Sequence, residues 1–268
     1  MTDFSCAEPY LEHAQDLFLP TEAAKGPWGD VILGGVVGGL LGWALECEAG
    51  HASWQPARLS VDLLCPARMQ PLRVYSKTVR RGRRLTVADA MVNQGEVVVA
   101  RASALFLRRG EQPEQRVWTS QVQMPPAPEE PLRAPRRSPF FSRMFGWPSL
   151  KGDASTDDLL LPKYIWIQEM RRLIDTEPIT PFTRAAMAAD MTSPLVHTGT
   201  GGLRFINADF TLTLSRLPRT PMLGLAAQTH TSHDGVATGA AAMFDRHGQI
   251  GSTTATALSS DGFTSPYA

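Results

Sequence analysis

The sequence predicts an α+β fold of two similar halves, each an antiparallel sheet wrapped around one central helix. Three observations predict it. The chain repeats itself: GRRLTVADAMVNQGEVVVARASALF (82–106) matches GVATGAAAMFDRHGQIGSTTATALS (235–259), with Gly82 aligned to Gly235 and Gly95 to Gly248 at one offset of 153. Each copy alternates apolar and polar residues, turns at a glycine and alternates again, the pattern of a hairpin with one buried face. Ahead of each hairpin stand a helix rich in small residues and two further alternating runs.

Taken in order, the first half offers a Gly-rich helix at about 32–48, then RLSVDLLCPA (58–67), PLRVYSKTVRR (71–81) and the hairpin. The second half opens with KYIWIQEMRR (163–172), which alternates as a strand. A helix follows over about 181–192, with Thr180 as its N-cap, Pro181 in its first position and Pro194 as its stop. FINADFTLTLSRLP (205–218), PMLGLAAQTHTSHD (221–234) and the second hairpin complete it. A helix clasped by a sheet is buried nearly all round, and glycine or alanine on its surface lets the strands come close. Three segments result: an N-terminal repeat (1–109), a connector (110–162) and a C-terminal repeat (163–268). The connector carries the Pro-rich run QMPPAPEEPLRAPRRSPFF, unsuited to a sheet interior. Its FFSRMFGWP stretch (140–148) is aromatic enough to dock on the domain, either covering an apolar edge or forming part of a ligand tunnel.

Composition narrows the function. Among 268 residues, 26 basic side chains balance 26 acidic ones, so no overall field calls for nucleic acid or an anionic membrane. Three cysteines without CxxC spacing give neither a disulfide framework nor a zinc site, and fit a reducing cytoplasm. The start, MTDFSCAEPYLEHAQD, lacks the basic and apolar regions of a signal peptide. VILGGVVGGLLGWAL (31–45) is short of the roughly twenty residues a membrane span needs. GGVVGG lies inside a helix without GxGxxG order, no GxSxG elbow occurs, and His230 and His233 are three apart on a strand, hence on opposite faces. Dinucleotide binding, a serine nucleophile and a two-histidine metal pair are therefore not expected, and no cofactor or metal is implied.

One charge stands out. In TRAAMAADMTSP (183–194), Asp190 follows Met187, Ala186 and Thr183 by three, four and seven residues, so it shares their stripe of the helix. A carboxylate on a buried face is costly unless it is paired, which points to use; the other reading places it at a fraying end, in water or bonded to Thr192 and Ser193. Arg80, Arg81, Arg83 and Arg84 flank Gly82, as a phosphate-binding set or as a solvated turn.

LGGVVGGLLGWALE, RRGRR, VNQGEVVVARASALF, AADMTSP and NADFTLTLSR, in that order, resemble the acyl-CoA thioesterase II family, with its double hotdog fold, over almost the whole chain. The resemblance implies hydrolysis of acyl-CoA by a water held by Asp, Thr or Ser, and Gln, with no covalent intermediate. Carried over by position, the acid is Asp190, the hydroxyl position is Asn207 with Thr211 one strand turn further, and the Gln position is Thr256. This chain keeps the acid and departs at the other two. Backbone N–H groups of Gly34 and Gly35 at a helix N-terminus would polarise the thioester carbonyl, and Arg81, Arg83 and Arg84 would meet the coenzyme A phosphates. Asn207 and Thr211 are four apart in one strand and so are expected on one face. Hotdog hydratases set an Asp and a His about five residues apart, whereas Asp190 and His197 are seven apart across Pro194. A non-catalytic acyl-CoA or acyl-chain binding protein is the second expectation, favoured by the loss of Gln at Thr256. Free sheet edges are the expected route to pairing between copies.

Overall fold

A computed structural model describes residues 7–119, 121–128, 142–146 and 160–260 of the chain. The N-terminal half holds the short hairpin β1 (Leu11–Ala14) and β2 (Leu17–Pro20), helix α1 (Gly34–Ala49), and strands β3 (Trp54–Leu63), β4 (Arg73–Arg81), β5 (Leu85–Gln94) and β6 (Val97–Arg108). The C-terminal half holds β7 (Ser142–Gly146), β8 (Tyr164–Glu169), α2 (Pro181–Ala189) and α3 (Thr192–His197). After them come β9 (Thr198–Gly199), β10 (Gly202–Leu203), β11 (Phe205–Asn207), β12 (Asp209–Leu214), β13 (Met222–His233), β14 (Val236–Asp245) and β15 (Gly248–Ser259).

The two expected sheets are fused edge to edge. β3 pairs with β12, so one antiparallel path runs β4-β5-β6-β3-β12-β15-β14-β13-β8-β7, with β11 beside β15. The repeat is real, but its register differs from the glycine match. The hairpin turns close at Gln94–Val97 and Asp245–Gly248, an offset of 151. At that offset the inward residues Val99, Ala102, Ala104 and Phe106 correspond to Ile250, Thr253, Ala255 and Ala257, all of them buried. A two-residue slip preserves the alternation of faces, which is why the pattern was readable in the wrong register. At the seam, Thr211 pairs with Ser60, Asp209 with Asp62 and Thr213 with Arg58. Under the same offset Ser60 corresponds to Thr211, so the pseudo-twofold relating the halves passes between those two residues.

The helices cross each other in the hollow of this sheet, and the glycines of α1 serve that contact more than contact with the strands. A Cβ on Gly39 would stand 2.6 Å from Met187 Cγ, one on Gly42 3.0 Å from Ala186 Cβ, and one on Gly38 2.5 Å from the Phe210 ring. Any side chain at the first two positions would force α1 and α2 apart. α2 starts where expected, with the Thr180 hydroxyl accepting from the Thr183 amide and Pro181 at the first position. It ends sooner, at Ala189, and Pro194 sits inside the first turn of α3, where a missing N–H costs nothing, so it does not stop the helix.

Of the connector, Val122, Met124 and Ala127 pack on Trp166, Met222, Ala226, Ala242 and Phe244, and the Trp166 indole donates to the Pro125 carbonyl at 2.9 Å. Residues 142–146 extend the sheet beyond β8 as β7; the rest of the aromatic stretch and most of the Pro-rich run lie outside the described residues. No helix among the described residues is long and apolar enough to cross a membrane.

Candidate active site

Asp190 is the residue immediately after α2, still in helical conformation, and it is aimed at the N-terminus of α1. That end of α1 has no side-chain cap: Leu33 occupies the cap position and supplies none. The Asp190 carboxylate takes the place of a cap. It accepts from the Gly35 amide, and from Asn207 Nδ2 to its Oδ1 at 2.9 Å. The contact is close enough to exclude any side chain at Gly34, whose Cβ would meet Oδ1 at 2.6 Å; at Gly35 it would meet the Met187 carbonyl at 2.9 Å. Burial raises the pKa of Asp190 above the usual carboxylate range, while the Asn207 and Gly35 hydrogen bonds pull it back down. The result is a base strengthened by desolvation and held in one orientation.

The acid keeps part of its surface, and it lines a cavity of about 910 Å³ formed from both halves. Leu33, Val36, Leu63, Val99, Ile165, Ile167, Met187, Leu195, Leu203 and Leu223 make most of the wall apolar. Exposed Leu64, Cys65, Pro66 and Arg68 from the β3–β4 loop, with Leu258, also belong to the lining and connect it to the surface. A largely apolar cleft of this volume suits a ligand with a hydrocarbon chain.

The structure brings Asp190, Asn207, Gly34 and Gly35 together and separates the other expected members. Between β11 and β12 the chain bulges at Ala208: Asn207 pairs with Ala257, but Thr211 pairs with Thr254, four residues against three. One extra residue reverses the faces beyond it. Asn207 therefore turns inward, whereas Thr211 turns outward and donates to Ser60 Oγ at 3.1 Å on the seam. Thr256 suffers the same way. A bulge in β15 near Ile250 interrupts the count from Gly248, and Thr256 lies on the exposed outer face, its hydroxyl donating to Asp209 at 2.8 Å and its amide at 2.6 Å. The inward residues of β15 beside Asn207 are Ala255 and Ala257, which offer no polar group. Gly35 also departs from expectation, since its amide is engaged by the acid and not left for a substrate carbonyl. Arg81, Arg83 and Arg84 are exposed at the β4–β5 turn and none lines the cavity.

Ser193, named from the sequence only as a partner for a fraying Asp190, belongs to the site. It lies three residues beyond Asp190 in helical chain, lines the cavity and is 2% exposed. Its neighbour Thr192 turns the other way, to Thr253 Oγ1 at 2.5 Å. The signal was the i, i+3 spacing from the acid, hidden because Pro194 was read as the end of the helix. His197 is buried with its Nδ1 2.9 Å from that of His230; burial, His230 and Lys163 push its pKa down to about 4.

The fold and this site define a class: a double hotdog protein with a half-buried carboxylate just beyond its second helix, facing a largely apolar cleft. The N-terminal domain of the acyl-CoA thioesterase family matches residues 24–107 and its C-terminal domain residues 121–258, so the chain belongs to the acyl-CoA thioesterase family, whose general chemistry is thioester hydrolysis. Among solved structures it is similar to the tesB protein of Mycobacterium avium subspecies paratuberculosis (TM-score 0.64, 19% identity, 93% of this chain and 96% of that one). It is also similar to the acyl-CoA thioesterase II TesB2 of Mycobacterium marinum (TM-score 0.60, 17% identity, 95% and 97%). A hotdog protein of unknown function from Alicyclobacillus acidocaldarius gives a TM-score of 0.68 at 18% identity, over 94% and 96%. At these identities the likeness speaks for the fold. Comparison with curated proteins finds no match.

Proposed function

We propose that the protein hydrolyses acyl-CoA thioesters to free acid and coenzyme A, with Asp190 as the general base for the attacking water. The observation that carries this reading is a desolvated carboxylate, oriented by Asn207 and Gly35, inside an apolar cleft. Asp190 draws the proton from a water held by Asn207 and the Ser193 hydroxyl as the oxygen adds to the thioester carbon. The negative charge that develops on the carbonyl oxygen meets the positive end of the sixteen-residue helix α1, where the Gly34 N–H stands, and the second N–H of Asn207. Collapse expels the coenzyme A sulfur, which takes its proton from Asp190, and the base is regenerated. Gly35 positions the base in this scheme.

The second reading, a binding protein without turnover, draws on Ala255 and Ala257, which leave β15 with no water-holding side chain at the site. Purified protein incubated with acyl-CoAs of graded length, with free thiol followed over time, decides between the two. Thiol release that disappears in Asp190→Asn is expected. Saturable binding with no release at any length would establish the binder.

A further inference from the structure

The cavity wall carries a second cluster of polar side chains apart from the acid and its partners. Tyr10, Glu169 and Arg184 line it away from the acid. Tyr10 is fully buried, and its hydroxyl donates to Glu169 Oε1 at 2.9 Å. The same oxygen accepts the amides of Met170 at 2.8 Å and Arg171 at 2.9 Å, which fixes the carboxylate in place. Arg184 is partly buried, and its Nη1 makes a long contact of 3.4 Å with the Glu169 carbonyl. A guanidinium carries five N–H donors, so that contact leaves most of the fork available to the cavity it lines.

Position gives the subsite its meaning. Arg184, Met187, Ala188 and Met191 follow the i, i+3, i+4, i+7 stripe of a helix face, and all four line the cavity. Arg184 precedes Asp190 by six residues, so at 1.5 Å rise per residue the two lie about 9 Å apart along the helix axis. An acyl chain with its thioester at Asp190, laid along Met187, brings a carbon well down the chain to Arg184. Glu169 is close enough to act on the charge of Arg184, and its own carboxylate disfavours a second one beside it, which suits an uncharged oxygen.

Resting on the thioesterase reading, we propose that Arg184, held beside the Tyr10–Glu169 pair, forms a subsite for a hydroxyl group on the distal part of the acyl chain, making hydroxyacyl-CoA the preferred substrate class. The test compares saturated, distally hydroxylated and ω-carboxylated acyl-CoAs of matched length with the full chain. The hydroxylated compound is expected to show a kcat/KM roughly ten- to a hundredfold above the saturated one, the worth of a hydrogen bond to a charged donor. In Arg184→Met that ratio falls towards one; Arg184→Lys, which keeps the charge but not the fork, serves as a second variant if the first melts early. Equal rates in the wild type, or a preference that survives both substitutions, would overturn the subsite. A preference for the ω-carboxylate would overturn the assignment to a neutral oxygen. If no acyl-CoA is hydrolysed, the thioesterase reading fails, and calorimetric titration of the same three ligands still decides the subsite by the same ratio.

Discussion

The two halves of the molecule make the same arrangement at opposite ends of the crossed helices. At one end the Asp190 carboxylate, just beyond α2, receives the N-terminus of α1. At the other, Glu46 near the end of α1 reaches Thr180, the cap of α2, whose hydroxyl donates to Glu46 Oε2 at 2.5 Å. Burial raises the pKa of both acids. Even the bulge recurs: Ala57 interrupts β3 as Ala208 interrupts the β11–β12 run, and at the offset of 151 Pro56 stands where Asn207 stands. What differs is the inward residue across the strand. Opposite Asn207 it is Ala257; opposite Pro56 it is Phe106, 1% exposed, with its ring edge-on to Phe182 at 6.1 Å. A half-buried carboxylate with a raised pKa is thus common to both halves. A partner amide and space beside it are found in one.

Four experiments bear on that contrast, from the largest expected effect to the smallest. Asp190→Asn keeps the shape and removes the base, so kcat should fall by about 10²–10⁴. Its stability carries a sign. Folding raises the pKa of Asp190, so ionising it costs stability as the pH rises from the ordinary carboxylate range through the raised value, and the amide escapes that loss. At neutral pH the variant should melt at or above the wild-type temperature, as calorimetry would show. Ala257→Phe transfers the closed character of the first half to the second. Hydrolysis should be lost while the fold survives at a cost of about 1–3 kcal/mol from overpacking, measured by denaturant unfolding. Asn207→Ala removes a hydrogen bond that lowers the pKa of the base, so the acid limb of the pH–rate profile should move to higher pH as well as the rate falling. Glu46→Gln should leave kcat within about twofold and raise neutral-pH stability slightly, since Glu46 is also raised by burial and has no role in turnover.

Much of this contrast was legible in the sequence, and the part that was not has a physical cause. Duplication, the Thr180–Pro181 helix start and the oddity of Asp190 were visible because periodicity and caps are written in local residue types. Thr211 and Thr256 were misplaced because a bulge inserts one residue with no signature of its own; neither Ala208, between β11 and β12, nor Ile250, within β15, is a residue type that marks a bulge. Each reverses the faces beyond it, so counting from a fixed residue gave the right strand and the wrong side. Arg184 and Glu169 escaped notice because their meeting depends on β8 lying beside α2, a long-range fact that spacing along the chain does not carry.

The β3–β12 seam also changes what the protein is free to become. Had the two halves been separate identical subunits, any substitution would have appeared on both sides of the axis at once, and filling one pocket would have filled the other. Written in a single polypeptide, the axis between Ser60 and Thr211 no longer enforces that symmetry. One flank can harden into ballast around Phe106 while the other is left to drift toward new ligands.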